Sequence, residues 1–513
     1  MRLRRPTGTG RDRHDARRRE VWAERCTELA RALGVPAPAA TPASTAELAA
    51  TLSRVVDAAD RRQVWLALAV LTGRLPEETS VVEVARAAEF HGAAPLAEAV
   101  ERLTGPDALA WRVRVGGGVL VDVAHTVSTP LMTGIQRVAR ETARRWLDRP
   151  GVTPVSWTPG FGSLRELTPA ELELLVGGRA AAGELAPGPD DLLTVVVPWD
   201  ATYLVPELGA EPGRTAALLG LARFSGNRTG SIGFDLVPIT TAETTQLGFA
   251  SVFARNLAAV RYFDRVAAIS GAAATEYRGW RSMLAAVGLA GPRIRPVSLP
   301  VHAADPTAAD TESARTGFLV GDLPLVLVVG SHEPRKNHLA VLHAAELLWR
   351  EGLRFSLSFV GGNAWGSDDF QALLAALVRA GRPVDSRRGL SDGELWAAYR
   401  LARFTVFPSL NEGFGLPVAE SLAVGTPVVT SGFGSMAELA ADGGALVADP
   451  RDDHSLADAM RRLLTDDAEL ARLRTEAAAR PRRDWDAYAD EAWRWLAERD
   501  GTDEDGGRGA AEA

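Results

Sequence analysis

The sequence predicts an α/β protein built from two successive doubly wound domains, preceded by an α-helical extension. Three observations lead there. From about residue 113, short apolar runs of strand length alternate with helical stretches of ten or more residues, the pattern of parallel sheets with crossover helices. Several of these runs, such as GGVLVDVAH and PLVLVVG, read as strands buried on both faces. Residues 20–112 contain no such run and show a helical apolar period instead. At 513 residues the chain has length for two or three domains with substantial cores.

Taken in order, residues 1–20 carry eight arginines against three acids and are expected to be solvated, disordered chain. Residues 21–112 form the helical extension. Within it, STAELAATLSRVV opens on a capping box, Ser44 with Glu47, and TPASTAE breaks two helical pieces. The extension is expected to pack on the main body or on a second copy of the chain. Residues 113–302 form the first α/β domain, with strands at GGVLVDVAH, LLTVVVPW, TGSIGFDLVPI and RVAAIS, a helix at TGIQRVARETARRWL and an end near RIRPVSLPV. Residues 303–483 form the second, through PLVLVVG, FSLSFVGG, ARFTVFPS and TPVVTS. A terminal helix follows over 484–500, and 501–513 is an acidic, glycine-rich tail expected to be disordered.

Composition excludes several classes. No apolar run approaches the ~18 residues of a membrane span, and no apolar segment follows the basic start, so no secretory signal is read there. Cys26 is the one cysteine, which removes intramolecular disulfides and cysteine-based metal sites. The eight histidines include no HExxH pair. A net charge of −8 argues against general nucleic-acid binding. The chain is read as cytoplasmic. A second reading of the basic start gives it contact with anionic lipid or an acidic partner, at the inner face of the membrane. Of 57 basic residues 56 are arginine, so Lys336 stands alone as a lysine.

Two strand-to-helix turns of the second domain carry the chemistry. In NEGFGLPVAESLAVGTPVV, Glu412 and Glu420 flank Gly413, Phe414, Gly415, Leu416 and Pro417. Pro417 suits the first position of a helix, and Gly425 with Pro427 suits its end. The turn therefore lies at the carboxyl edge of a parallel sheet, where such sheets bind ligands. Bare amides and the helix dipole make an anion site there. Glu420 suits ribose hydroxyls and Glu412 those of a second polyol; read structurally, Glu420 only complements the helix dipole and Glu412 is surface. In VVGSHEPRKNHLAVLHAAELL, Arg335 and Lys336 lie where a helix begins. There they oppose its dipole unless an anion lies between, and Arg335 can grip phosphate bidentately. Ser391 with Glu394 is a purely structural capping box. GGNAWG lacks the GxGxxG spacing and reads as a turn bordering the ligand.

Two acids eight apart around GFGLP, an upstream EPRKN and tandem α/β domains together resemble the family 4 retaining glycosyltransferases of the two-Rossmann (GT-B) fold. The resemblance covers roughly 115–490 and is strongest over 324–450. It implies transfer of a sugar from a nucleotide-sugar with retention, with no cofactor and no essential metal. It further implies that Arg335 and Lys336 bind the diphosphate and Glu420 the ribose. Glu412 and the amides of Gly413, Phe414, Gly415 and Leu416 would hold the donor sugar and distal phosphate. In the first domain, TPLMTGIQRV is similar to the family's glycine loop, placing Gly134 across the cleft. GFDLVPI is similar to a segment usually read His-Asp-Leu-Ile-Pro, placing Asp235 at the sugar, with Phe234 where many members carry histidine. The catalytic roles then fall to Glu412, Asp235 and Lys336. RRDWDAYADEAW is similar to the closing segment and helix that return to the first domain, so Asp484 and Asp486 serve capping and solvation.

EPRKN with TGIQRV is similar to mannosyltransferases of polysaccharide assembly, so the first expectation is GDP-mannose as donor and a glycan or lipid-linked acceptor. Two alternatives stand beside it: a non-catalytic nucleotide-sugar-binding scaffold of the same fold, and a nucleotide-sugar epimerase. No nucleic-acid partner is expected. Self-association through 21–112 is one reading of the extension.

Overall fold

The computed structural model describes residues 8–105, 107–128, 134–177, 192–301 and 303–498. The acidic tail over 501–513 lies outside the described residues, as do residues 129–133 of the expected glycine loop. Five helices come first: α1 (Gly8–Leu33), α2 (Thr45–Val55), α3 (Arg61–Thr72), α4 (Glu78–His91) and α5 (Ala94–Leu103). Helix α1 starts at Gly8, inside the stretch expected to be disordered. Trp22, Cys26, Leu29 and Ala30 of the same helix are buried, and their packing extends order back toward the arginines. Ser44 accepts the Glu47 amide, as its spacing requires.

The extension docks on its own chain. Every residue from Val64 to Thr72 is buried, so α3 is apolar on all sides and central. It packs against the helix Pro212–Phe224 and the first-domain sheet, in one core with Val195, Tyr203, Ala217 and Leu221. Arg62 seals this joint, stacked 4.3 Å over Trp199 and donating to the Ser225 carbonyl. Gly220 permits the closest approach, since a Cβ there would lie 2.2 Å from the Pro76 carbonyl oxygen. Helix α3 is therefore spent on the chain's own first domain.

The first-domain sheet contains β1 (Arg112–Asp122), β2 (Val152–Trp157), β3 (Leu164–Glu166), β4 (Thr194–Val205), β5 (Arg228–Gly233), β6 (Arg265–Ala268) and β7 (Arg293–Pro296). Parallel pairing runs β2–β1–β4–β5–β6–β7. Strand β3 pairs antiparallel with β2 and β4, a departure from the all-parallel expectation. The strand read through TGSIGFDLVPI ends at Gly233, and a short helix, Val237–Thr240, takes over. Pro238 cannot donate to a ladder, which is one reason the strand stops.

The second-domain sheet contains β8 (Leu325–Val329), β9 (Ser356–Val360), β10 (Val384–Arg387), β11 (Phe404–Phe407), β12 (Val428–Ser431) and β13 (Ala445–Ala448). It is wholly parallel, in the order β10–β9–β8–β11–β12–β13. The order reverses across β8 and β11, and the two motif turns follow these two strands. That is the switch point at which open α/β sheets form a crevice.

The last helix, Trp485–Leu496, returns to the first domain. Trp146 donates to the Ala489 carbonyl at 2.9 Å and Trp495 to that of Val266 at 3.0 Å. Asp484 caps this helix through the Ala487 amide, and Asp486 pairs with Arg145. Among the described residues, no helix is long and apolar enough to cross a membrane.

Candidate active site

The two turns meet. Strand β8 leads into the tight turn Pro334–Lys336, ahead of the helix His338–Arg350, so Arg335 and Lys336 precede that helix rather than open it. Strand β11 leads through Ser409–Gly413 to the helix Leu416–Ala423, whose cap Gly415 has φ +88°, a conformation that favours glycine. Lys336 Nζ lies 2.6 Å from Glu412 Oε1, and Arg335 lies 2.6 Å from Glu412 Oε2. Ser409 donates to Glu412 Oε1 at 2.7 Å. Glu333 accepts from Arg335 at 2.7 Å, and Arg335 also donates to the Asn411 carbonyl. Lys336 sits 5.0 Å from the Phe407 ring centre.

Burial pushes the Glu412 carboxyl up, but Arg335 and Lys336 outweigh it and hold the pKa at about 2. Glu412 is therefore an anion at neutral pH that fixes two cations side by side. A diphosphate entering this turn would meet cations already aimed and already stripped of bulk water, which is what electrostatic preorganisation requires.

Glu420 is buried, with both carboxylate oxygens engaged. Tyr399 donates to Oε2 at 2.9 Å, and Arg137 of the first domain lies 3.3 Å from Oε1. Burial raises its pKa, opposed by Arg137 and Tyr399. Neither partner was visible in the motif; Arg137 lies in TGIQRV, three residues beyond Gly134, and its charge there was the available signal.

The first domain presses on the glycine turn. Gly134 opens the helix Gly134–Leu147, and a Cβ on it would sit 3.0 Å from Leu416 Cδ1. A Cβ on Gly413 would lie 2.5 Å from the Phe234 carbonyl oxygen and 2.9 Å from Asp235 Oδ2, so only glycine fits this contact. Ser270 donates to the Gly413 carbonyl at 2.6 Å. Asn411 donates to Thr240 and Glu276, and Glu438 accepts the Gly271 and Ala272 amides at the start of the helix Gly271–Ala286. Trp365, from GGNAWG, donates to the Thr244 carbonyl at 3.3 Å.

Asp235 accepts the Val237 amide at 3.1 Å and lines a cavity of about 330 Å³ with Ile135, Phe234, Phe249, Arg335 and Trp365. Burial raises the Asp235 pKa to about 6 against the pull of Arg335, with Glu276 and Glu412 adding to the rise. Phe234 packs in the first-domain core and contributes a carbonyl where a histidine side chain would have been polar.

Behind this face lies a charged group that sequence reading missed. Arg214, fully buried, reaches Asp122 at 3.0 Å and Glu207 at 2.9 Å. Trp157 and Tyr203 both donate to Asp122. Glu207 also accepts the His125 and Thr126 amides, fixing the segment that leads toward Gly134. Among the described residues, no group of three or more His, Cys, Asp or Glu side chains is placed to hold a metal ion.

The family described as glycosyl transferases group 1 matches residues 310–480. The chain is 27% identical over 339 residues to the serotype-specific mannosyltransferase WbdA of Escherichia coli, covering 63% of this chain and 40% of that protein. It is 37% identical over 157 residues to the O-antigen chain mannosyltransferase B of Escherichia coli, covering 30% and 41%. The chain thus matches about two-fifths of the length of these curated relatives. Among solved structures, sucrose-phosphate synthase from Thermosynechococcus elongatus superposes with a TM-score of 0.52 at 18% identity, over 73% of this chain and 97% of that one. That likeness is one of fold. Residues 310–480 thus resemble the group 1 glycosyl transferases, and the fold is the two-domain GT-B fold.

Proposed function

We propose that the chain is a retaining glycosyltransferase that moves mannose from GDP-mannose to a glycan or lipid-linked acceptor in polysaccharide assembly. One observation carries the reading: the Arg335–Lys336–Glu412 cluster joins two second-domain turns, and Arg335 shares a cavity with Asp235 of the first domain. Relatives named mannosyltransferases support mannose, while others are named D-inositol 3-phosphate glycosyltransferases.

In this reading Arg335 and Lys336 take the diphosphate and offset the charge that develops on the departing nucleotide. The first-turn amides around Gly415 and Leu416 add to that field. Glu412 moves from screening the two cations to holding the donor sugar with the Gly413–Leu416 turn. Glu420 holds the ribose. Asp235, whose pKa burial pushes up to about 6, faces the sugar from the other side and orients the acceptor hydroxyl. The acceptor attacks the anomeric carbon on the face that the diphosphate leaves, and the leaving phosphate takes its proton. Retention follows without a protein-bound sugar. The reaction depends on orientation within a closed cleft, and no metal or cofactor is assigned to it.

Thermal unfolding with GDP, UDP, dTDP and ADP tests the reading. GDP at about a hundred times its dissociation constant should add ~2.7 kcal/mol to the stability of the wild type. Lys336→Ala should lose most of that gain and lower transfer from GDP-mannose by ~10²–10³-fold. A wild type that none of the four nucleotides stabilises would sink the donor reading. A shift with UDP in place of GDP would retain the transferase and replace the donor.

A further inference from the structure

Glu420 is already spoken for. Its Oε2 takes the Tyr399 hydroxyl, buried and rigid on the same domain, whereas its Oε1 takes Arg137 from the opposite domain. These two partners differ in kind. The Tyr399 bond is 2.9 Å long. The Arg137 contact is 3.3 Å, longer than the ~2.7–2.9 Å of a strong charge-assisted bond. Arg137 is also the more accessible partner, with its side chain 32% exposed against 10% for Glu420. A ribose placed on Glu420 must compete for the oxygen that Arg137 holds.

Arg137 lies on the first turn of the helix Gly134–Leu147, whose Gly134 abuts Leu416. Leu416 in turn opens the helix that carries Glu420. Two helix starts therefore face each other, with Arg335 and Lys336 on the preceding turn. A diphosphate bound between these two helix starts would carry more charge than the single carboxylate Arg137 now contacts.

We propose that Arg137 is a positioning residue that exchanges partners: it neutralises Glu420 as seen here, and moves to the donor's diphosphate when the donor enters, leaving Glu420 to the ribose. This rests on the nucleotide-sugar reading of the site. It adds a cation from the first domain to the two of the second, so that donor binding itself draws the domains together. It also makes the site selective, because a nucleoside without phosphates must displace Arg137 and offers it nothing in return.

Calorimetric titration of wild type, Arg137→Ala and Arg137→Lys with a nucleoside and its diphosphate separates the two roles. The base is the one whose diphosphate stabilises the wild type. Removal of the guanidinium should tighten the nucleoside several-fold and weaken the diphosphate by about tenfold, opposite directions from one substitution. Arg137→Lys should recover most of the diphosphate affinity. In a Glu420→Gln background the nucleoside gain should vanish. Affinities that move in the same direction, or do not move, overturn the exchange, as does a nucleoside gain that persists with Glu420→Gln. If the wild type binds none of the four diphosphates, the donor reading fails and takes this proposal with it.

Discussion

The two faces of the cleft are built on opposite plans. The second domain gathers its charge at the cleft: Arg335 and Lys336 of one turn meet Glu412 of the next, paired within 2.6 Å and supported by Ser409 and Glu333. The first domain hides its charge. Arg214, Asp122 and Glu207 are buried beneath a face of Ile135, Phe234, Leu208 and Phe249, and Asp235 is the acid this face turns to Arg335. One face gathers paired charges at the mouth of two turns. The other uses buried charge to fix the shape of a mostly apolar wall. Under the proposed function, donor recognition and acceptor recognition place different demands on the same architecture.

The largest test of this contrast is Arg214→Ala. It leaves Asp122 and Glu207 buried without their cation, and breaking a buried pair in this way costs ~3–5 kcal/mol. Denaturant unfolding should show that loss, and Gly134 should lose its register with Leu416. A cost below ~1 kcal/mol would mean the group is not holding the wall.

Asp235→Asn comes next, with the opposite sign. A pKa raised from 3.8 to about 6 means that folding disfavours the ionised carboxyl. That stability is fully present below pH 3.8 and is lost as pH rises through 6. Part of the side chain faces the cleft, so the amide should stabilise the protein at pH 8 by ~1–2 kcal/mol. The gap should close below pH 4, while transfer activity falls. Melting curves at the two pH values check this, and a variant no more stable at pH 8 than at pH 4, relative to wild type, refutes it.

The smallest effect belongs to the seam between the faces. Glu438 caps the helix Gly271–Ala286 from across the cleft, and its charge there is worth ~0.3–1 kcal/mol. Glu438→Gln should leave the melting temperature of each domain nearly unchanged and weaken nucleotide binding about two- to threefold. Small-angle scattering should show a slightly more open molecule. Unchanged scattering and affinity would remove Glu438 from the closure.

Legibility in the sequence followed the same division. The second-domain strands fall on apolar runs, and Glu412, Arg335 and Lys336 lie in two turns whose residue types state their chemistry. In the first domain, β2 reads VTPVSW, where Pro154 and Ser156 interrupt the apolar pattern, and β3 has three residues, too short for any period. The partnership of Arg214 with Asp122 joins segments far apart in the chain, and no local pattern encodes it. Arg137 carried a signal, a charge on the first turn of a helix facing the cleft, but its partner Glu420 lies in the other domain. Sequence pattern reports local geometry well and long-range ionic partners poorly. The helical start of α1 went unseen for a related reason, since arginines dominate its first turns and the apolar stripe begins only at Val21 and Trp22.

Lys336 gives the molecule a further property. Apart from the α-amino group, the chain has one primary amine, and it lies in the cleft with 11% of its side chain exposed. Amine-directed acylation or reductive alkylation therefore has a single side-chain target. The added mass reads out directly whether the cleft is shielded, which turns the lone lysine into a built-in occupancy gauge for any ligand offered to the protein.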